Sequence, residues 1–323
     1  MKFSSSTSRW LTHALIPLTL MAISGSLAAT DYPTKDVRLT VGFGPGGPSD
    51  IAARFIQREF EQTTGKRLII QNRPGAGGAT AWSQMSSDPK DGYHLTLLNF
   101  PHVNLQPLVL GANAGYSFDE VTPALFYTKV PHILAVRNES PFETFADFLE
   151  AAKATPGRVV MGGVGVGTGN QAMWKQFDQK AGTSTAYVPF SDTATAMLNL
   201  KGGAIDAAWT FSTQGVQDRD GIRLLAVATE ERMDIFPETP TLSELGFPLS
   251  DAGWWAVGVP QGTPEERKVN VAETMKAVLQ NEAVAAAMSE AGFVLELIGF
   301  EGADEFKNAL QAQYEAIAPD LTN

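Results

Sequence analysis

The chain has 323 residues, a formal net charge of −11 and 44% hydrophobic residues, and its sequence contains no cysteine. Disulfides, thiol catalysis, zinc–thiolate sites and a lipid-modified N-terminal cysteine are therefore excluded. An acidic surface repels nucleic acid and anionic lipid, so neither is expected as a partner. The length and composition are sufficient for two hydrophobic cores.

The first 28 residues have the pattern of a removable secretory signal. Lys2 and Arg9 precede the apolar stretch Leu11–Ile23, and Ser26-Leu27-Ala28 offers the small residues that a signal peptidase reads. A transmembrane anchor is the alternative, but the apolar stretch is short for one. We therefore expect residues 1–28 to be removed and the mature protein, which begins near Ala29, to be soluble in the periplasm.

Strand-like and helix-like segments alternate in the first half of the mature chain. Ser49 is the expected N-cap of the first helix, and Gly65 is its expected stop. This βαβαβ order predicts a parallel sheet with helices on its faces. The predicted elements are the strand Val37–Phe43, the helix Ser49–Thr64, the strand Arg67–Gln71, the helix Ala79–Ser86 and the strand Tyr93–Asn99.

A second unit of the same kind follows. We place the two crossings between the halves near Lys129–Val136 and Gly253–Val259, so that lobe one comprises residues 29–130 and 257–323 and lobe two comprises residues 131–256. The predicted elements are the strand His132–Val136, the helix Phe142–Ala154, the strand Arg158–Met161, a helix ending at Gly182, the strand Ala186–Pro189, the helix Thr193–Leu200 and the strands Ala204–Thr210 and Arg223–Thr229.

Glycine-rich turns stand where predicted strands lead into helices. The first is GFGPGGPSD at residues 42–50, and the densest is GGVGVGTGN at residues 162–170. Ligands of open parallel sheets lie beyond the carboxyl ends of the strands, and a helix N-terminus favours an anion. The alternative is that the glycines only form tight turns. Asp50 is expected to turn toward backbone donors or to help select a ligand with a cationic or amide group.

Enzyme signatures are weak or absent in the sequence. Residues 42–47 match GxGxxG, but the acidic residue that should end the second strand of a dinucleotide-binding unit is missing at Gln71. There is no GxSxG, HExxH or Walker motif. The histidines of the mature chain, His94, His102 and His132, are scattered, and we interpret each as a packing or ordinary polar residue. No catalytic residue, metal or cofactor is expected.

Several motifs in order carry a family resemblance. The chain resembles the Bug-type, TctC-like receptors of tripartite tricarboxylate transporters over nearly its whole mature length. The resemblance implies a type II periplasmic binding protein fold: two α/β lobes, each a mostly parallel sheet flanked by helices, with a ligand cleft between them. The motifs are GFGPGGPSDIAARFI, IIQNRPGAGGATA, DPKDGYHL, VPFSDTATAMLNLKGGAID, ATEERMDIFPETPTLSELGF and WWAVGVPQGTPEE.

The resemblance also implies which residues hold the ligand, mainly through backbone groups. Many members have Tyr-Lys-Gly where this chain has Phe190-Ser191-Asp192, and a histidine near Asn170. Aromatic residues near strand ends, Phe211 among them, suit a flat aromatic acid as well as an aliphatic dicarboxylate. The predicted ligand-binding residues are Phe43, Gly46, Gly47, Ser49, Asp50, Gly165, Gly167, Thr168, Gly169, Asn170, Phe190, Ser191, Asp192, Thr193 and Phe211.

The expected function is that of an extracytoplasmic receptor that captures a small organic carboxylate. The resemblance implies delivery to TctA- and TctB-like membrane subunits, and we expect the receptor to be a monomer. Two alternatives stay open: a periplasmic sensor that docks to a signalling partner, and an exported enzyme with a glycine-rich anion site.

Overall fold

The computed structural model describes Met1 and residues 32–322. Apart from Met1, the predicted signal segment at residues 1–28 lies outside the described residues. The strands are β1 Val37–Val41, β2 Leu68–Asn72, β3 His94–Phe100, β4 Thr122–Arg137, β5 Val160–Val164, β6 Ala186–Phe190, β7 Ala207–Phe211, β8 Ile222–Val227, β9 Ala252–Val259 and β10 Val294–Ile298.

Helices lie between most of these strands. Within residues 32–322, no helix is both long enough and apolar enough to cross a membrane. The helices are α1 Pro48–Thr64, α2 Ala79–Met85, α3 His102–Leu110, α4 Phe145–Ala154, α5 Gly169–Ala181, α6 Thr193–Lys201, α7 Ser212–Gln217, α8 Glu265–Leu279, α9 Glu282–Glu290 and α10 Phe300–Glu315.

The helix ends follow the local sequence. Gly65 ends α1 with φ 68°, and Gly182 ends α5 with φ 64°, so both predicted stops are left-handed glycine caps. Helix α4 begins three residues later than predicted, because Thr144 caps it and exchanges hydrogen bonds with Asp147 in a capping box. The hydrophobic pattern alone did not reveal this cap.

Parallel strands β2, β1 and β3 form one end of the sheet, as the βαβαβ pattern predicts. Val37 pairs with Leu68, and Arg38 pairs with His94. Helix α1 covers this part of the sheet and buries Ile56 and Phe60 completely. The buried stripe of an amphipathic helix on a parallel sheet forms the first core.

Strand β4 connects the two parts of the sheet. Residues Thr122–Pro131 pair antiparallel with β9, whereas His132–Arg137 pair antiparallel with β7 and β8. The strand order is β2-β1-β3-β9-β4-β7-β5-β6, and β8 and β10 also pair with β4. The sequence prediction found only the second half of β4. A strand buried on both faces lacks the alternation that marks a strand.

The second part of the sheet repeats the parallel arrangement. Strand β5 pairs parallel with β6 and β7, and α4 and α5 pack beside them around an aromatic core. Within that core the ring centroids of Phe177 and Trp209 are 5.4 Å apart, and those of Phe148 and Phe177 are 6.1 Å apart. Close aromatic packing of this kind rigidifies the second lobe.

The molecule therefore has the predicted two α/β lobes, each with parallel strands flanked by helices. β4 runs through both lobes. β9 pairs with β3 and with β4 over Ala252–Val259. The lobe boundaries at residues 130/131 and 256/257 stay predictions.

Candidate functional site

A cavity of about 230 Å³ lies between the lobes, near the carboxyl ends of β1, β3, β5 and β7. This is the edge at which an open α/β sheet binds ligands. The first lobe contributes the turn after β1, the end of β3 and the start of α3, and β9, which pairs with β3, contributes one residue. The lining residues are Phe43, Gly44, Pro45, Gly47, Pro48, Ser49, Asn99, His102, Val164, Asp192, Thr193, Ala194, Phe211 and Trp255.

The first glycine turn presents a helix N-terminus to this cavity. Gly46 has φ 78°, and α1 begins at Pro48 with Gly47 as its N-cap, so the predicted N-cap at Ser49 is wrong and Ser49 is already the second residue of the helix. Among the described residues, no hydrogen bond uses the N–H of Ser49, the second residue of the helix. A free N–H at the positive end of a helix dipole is suited to a carboxylate.

The hydroxyl of Ser49 adds a second donor at the same place. Its oxygen accepts a hydrogen bond of 3.0 Å from Nδ2 of Asn99, and both residues are almost completely buried. A hydroxyl that accepts from one side keeps its own proton for another acceptor. The cavity therefore has a side-chain donor next to the backbone donor.

Asp50 supports the turn from behind, as the sequence predicted. Its carboxylate accepts hydrogen bonds of 3.0 Å from the N–H of Gly46 and 3.0 Å from Asn72, and it forms an ion pair of 3.1 Å with Arg54. Burial raises the pKa of Asp50, but these partners outweigh it and hold the pKa below its usual value. The carboxylate stays charged and fixes the shape of the turn.

The second lobe closes the cavity with the start of α6. Asp192 is the N-cap of α6: its Oδ1 accepts the N–H of Thr195 at 2.8 Å, and its Oδ2 accepts the hydroxyl of Ser191 at 2.9 Å. Burial raises the pKa of Asp192, but these hydrogen bonds hold it below its usual value. A charged carboxylate therefore lies on the wall opposite the glycine turn.

The remaining walls are largely aromatic. Phe43 meets His102 edge to face, with ring centroids 5.9 Å apart, and Phe211 and Trp255 complete this surface. Burial and the nearby His132 lower the pKa of His102 to about 3, so its ring is neutral at physiological pH. Its Nδ1 is buried with no partner among the described residues. The cavity thus combines apolar rings with isolated polar atoms.

The second glycine turn, residues 162–170, contributes only Val164 to the described lining of this cavity. A Cβ at Gly167 would lie 3.3 Å from Cα of Gln106 in the first lobe, and one at Gly165 would lie 3.9 Å from Cα of Gly77. The glycines let the lobes approach each other. The structure does not bring Gly165, Gly167, Thr168, Gly169 or Asn170 into the lining.

Local contacts explain where some of these side chains go. Thr168 caps α5 and accepts the N–H of Gln171, and Asn170 donates to the carbonyl of Trp209 at 2.8 Å. Gly165, Phe190 and Ser191 line a second, more open cavity of about 500 Å³, and Asp192 lines both cavities. Of the predicted residues, the structure brings together Phe43, Gly47, Ser49, Asp192, Thr193 and Phe211, whereas Gly46 and Asp50 support the turn from outside the lining.

Eight lining residues are outside the predicted set. Five of them, Gly44, Pro45, Pro48, Val164 and Ala194, are next to predicted residues in the sequence, whereas Asn99, His102 and Trp255 are not. Asn99 is a polar residue near the end of a parallel strand, which is a signal that could have found it. His102 follows three residues later, and the sequence alone indicates only a packing or ordinary polar residue there. Trp255 belongs to the antiparallel strand β9, and no local pattern in the sequence places it near residues 43–49.

Within residues 32–322, no group of three or more His, Cys, Asp or Glu side chains is arranged to hold a metal ion. The polar groups of the cavity are donors and acceptors for binding. They do not form the nucleophile, base and orienting group of a catalytic triad.

The fold and the cleft between lobes define a periplasmic binding protein. A family model, TctC, described as the tripartite tricarboxylate transporter family receptor, matches residues 52–301. Because this match covers more than half of the chain, the chain belongs to that family of receptors, and the resemblance to Bug-type receptors is confirmed. The family works in the uptake of small organic acids together with membrane transporter components.

Individual relatives agree with this assignment. BugT of Bordetella pertussis is 28% identical over 279 residues, which are 84% of either chain. The R. palustris protein Rpa4515, solved with adipate, is 27% identical with a TM-score of 0.84 over 90% of this chain and 98% of that one. The periplasmic binding protein BugD is 22% identical with a TM-score of 0.83 over 90% of this chain and 98% of that one, a likeness of fold alone.

Proposed function

We propose that this protein is an extracytoplasmic receptor that captures a small organic carboxylate and delivers it to the membrane subunits of a tripartite transporter. The observation that carries the proposal is the cavity between the lobes, where the N–H and hydroxyl of Ser49 face a space of about 230 Å³. Family membership and the adipate named with Rpa4515 support the same class of ligand.

The size and donors of the cavity suit this role. Drug-sized ligands occupy pockets of about 300–1,000 Å³, so this cavity suits a smaller molecule. Hydrogen bonds to charged groups contribute about 1.5–3 kcal/mol each. The two donors of Ser49 would supply about 3–6 kcal/mol of the roughly 8 kcal/mol of a micromolar complex, and contact with the apolar walls would add to this. No arginine is needed for this grip.

Release and delivery require the lobes to move. We propose that the chain bends near residues 131–132 of β4 and just before β9, where the strand pairing changes from one lobe to the other. Closure would bury the ligand, and the membrane subunits would recognise the closed form. The predicted export signal at residues 1–28 would place the mature, monomeric receptor in the periplasm.

The proposal is tested by thermal unfolding of residues 29–323 with a panel of dicarboxylates, tricarboxylates, aromatic acids and carboxylate amides. A ligand at about 100 times its Kd stabilises by about 2.7 kcal/mol, which raises Tm by several degrees. A saturable shift with at least one carboxylate and no product formation is expected. A panel without any saturable carboxylate, or turnover of one, would contradict the receptor function.

A matched pair of variants tests whether the glycine turn is the binding element. Ser49→Pro removes the free N–H and the hydroxyl at the second residue of α1, and ligand stabilisation should disappear. Glu266→Pro makes the same change at the second residue of α8, where Glu266 is exposed, and should leave ligand stabilisation intact. Full ligand stabilisation in Ser49→Pro would show that the turn is not the binding element.

Aromatic walls favour an aromatic acid if the rings contact the ligand. Phe43→Ala and Phe211→Ala should then weaken binding of a benzoate-type acid more than binding of an aliphatic acid. Unchanged affinity for the aromatic acid in both variants would contradict an aromatic ligand.

A further inference from the structure

Asp192 is a carboxylate in a cavity that is otherwise suited to hold a carboxylate. No lysine or arginine belongs to the described lining, and no ion pair within residues 32–322 includes Asp192. The charge therefore faces the cavity without a compensating cation. Like charges at close range in a site of reduced dielectric repel strongly.

The protein's own carboxylate also occupies the helix terminus of the second lobe. The N–H of Thr195 is bonded to Asp192, and the hydroxyl of Ser191 is bonded to the same side chain. These donors at the start of α6 would otherwise stabilise an anionic group of a ligand. A second ligand carboxylate would meet a negative charge there, and the N–H of Thr195 is already bonded to Asp192.

The cavity lining also contains a hydrogen-bond acceptor, the side-chain oxygen of Asn99, and the electron-rich faces of three aromatic rings. Oδ1 of Asn99 is buried without a partner among the described residues, and the amide nitrogen of Asn99 donates to Ser49, so this acceptor lies beside the first turn. Asn99 itself is only 2% exposed. Phe43, Phe211 and Trp255 present rings whose faces attract cations and N–H donors. A buried acceptor without a partner indicates a missing donor.

We propose that the ligand carries a single carboxylate, held at the turn of residues 43–49, and a far end with N–H donors, either an ammonium or an amide, held by Asp192. This inference rests on the proposed receptor function. It makes Asp192 a specificity residue that rejects dicarboxylates. The N–H groups at the far end of the ligand take the oxygens of Asp192, and the apolar body of the ligand contacts the aromatic walls.

A series with one body and a varied far end tests the inference. The probes are adipate, adipamate and 6-aminohexanoate, with terephthalate, 4-carbamoylbenzoate and 4-(aminomethyl)benzoate as the aromatic set, each titrated by calorimetry into the mature protein. Within at least one set, the amide or the amine is expected to bind at least tenfold more tightly than the dicarboxylate. Which of the two binds more tightly distinguishes an amide ligand from an ammonium ligand.

The variant Asp192→Asn keeps a good helix cap and removes the charge. In this variant the affinity for the dicarboxylate of that set should come within threefold of the affinity for the amide. The affinity for the amine should fall at least tenfold. The control Asp147→Asn changes a capping carboxylate of α4 that is exposed and outside the cavity lining, and it should leave all three affinities unchanged.

The outcomes separate this inference from the proposed function. A dicarboxylate that binds wild type as tightly as its amide, or a ratio unchanged by Asp192→Asn, overturns the inference and leaves a carboxylate receptor. If no member of either set binds, the inference is also overturned, and the wider carboxylate panel then decides the receptor function by itself.

Discussion

The two glycine-rich turns are similar in sequence and different in use. In the turn at residues 42–50, a Cβ added at Gly44 or Gly46 would meet no atom within 4 Å, and most of the turn lines the cavity. In the turn at residues 162–170, a Cβ at Gly163 would lie 2.5 Å from Oη of Tyr187. The first turn leaves space for a ligand, whereas the second uses glycine for close packing.

This difference shows that glycine density is a poor guide to a binding site. A strand-to-helix turn needs glycine both where a ligand approaches the backbone and where another part of the protein does. At Gly167 the approaching group is Gln106 of the other lobe. The surroundings of each turn, which come from distant parts of the chain, decide between the two uses.

The largest expected effect is a loss of folding stability at acid pH, and it comes from His102 beside the first turn. Burial and His132 lower the pKa of His102 to about 3, below the ordinary value of about 6.5. Between these values the unfolded chain binds a proton that the folded chain does not. The free energy of unfolding should therefore fall by about 1.4 kcal/mol for each pH unit below about 6.5, from this residue alone.

His102→Gln should make that pH dependence shallower, as measured by urea unfolding at several pH values. His94→Gln, at a half-buried position beside Asp91, is the control and should retain the wild-type slope. Identical slopes for wild type and His102→Gln would show that His102 can be protonated in the folded protein.

The next effect concerns the group that holds the first turn in place. Asp50→Ala leaves the N–H of Gly46 and the amide of Asn72 without their acceptor. We expect the free energy of unfolding to fall by about 1.5–3 kcal/mol, and ligand affinity to fall with it. Asp147→Ala at the exposed capping box of α4 should cost less and leave affinity unchanged. Full ligand affinity in Asp50→Ala would mean that the turn keeps its shape without this carboxylate.

A pair of glycine substitutions compares packing in the two turns directly. Gly163→Ala forces its Cβ to within 2.8 Å of Cβ of Asn170, and such overpacking costs about 1–3 kcal/mol. Gly44→Ala meets no neighbour and should change the free energy of unfolding by less than about 0.5 kcal/mol. Thermal unfolding of both variants is the measurement, and equal destabilisation would remove the distinction between the turns.

The last pair of variants tests whether the contact between the lobes at Gly167 contributes to ligand binding. Gly167→Ala places a Cβ at φ 66° beside Gln106, whereas Gly182→Ala has φ 64° with nothing within 4 Å. Both should lose about 1–2 kcal/mol from the left-handed backbone. Only Gly167→Ala should weaken ligand binding, about tenfold, because it keeps the lobes apart. If calorimetry gives the same ligand affinity for Gly167→Ala and Gly182→Ala, the contact at Gly167 has no role in closure.

Much of the local structure could be predicted from the sequence. The helix α1, its stop at Gly65 and the parallel strands β1 to β3 follow from periodicity, capping and the βαβ rule. The first half of β4 could not be predicted in this way. It is buried on both faces between antiparallel neighbours, and no alternation of polar and apolar residues marks it.

The candidate site was predictable in the same uneven way. Phe43, Gly47 and Ser49 belong to one continuous turn, so a local motif could identify them. Trp255 lies far along the chain and reaches the cavity only because β9 pairs with β3. His102 gave a weak signal, since a single histidine in a sequence does not show whether its ring is buried.

Short-range capping, periodicity and glycine geometry allow the sequence alone to predict many of the elements, the two α/β halves and the turn that begins α1. Tertiary structure decided which glycine turn faces the cavity, which rings form its walls and that Asp192 stands on the opposite wall. Those features depend on long-range strand pairing and on the approach of the lobes, which bring together residues more than a hundred positions apart.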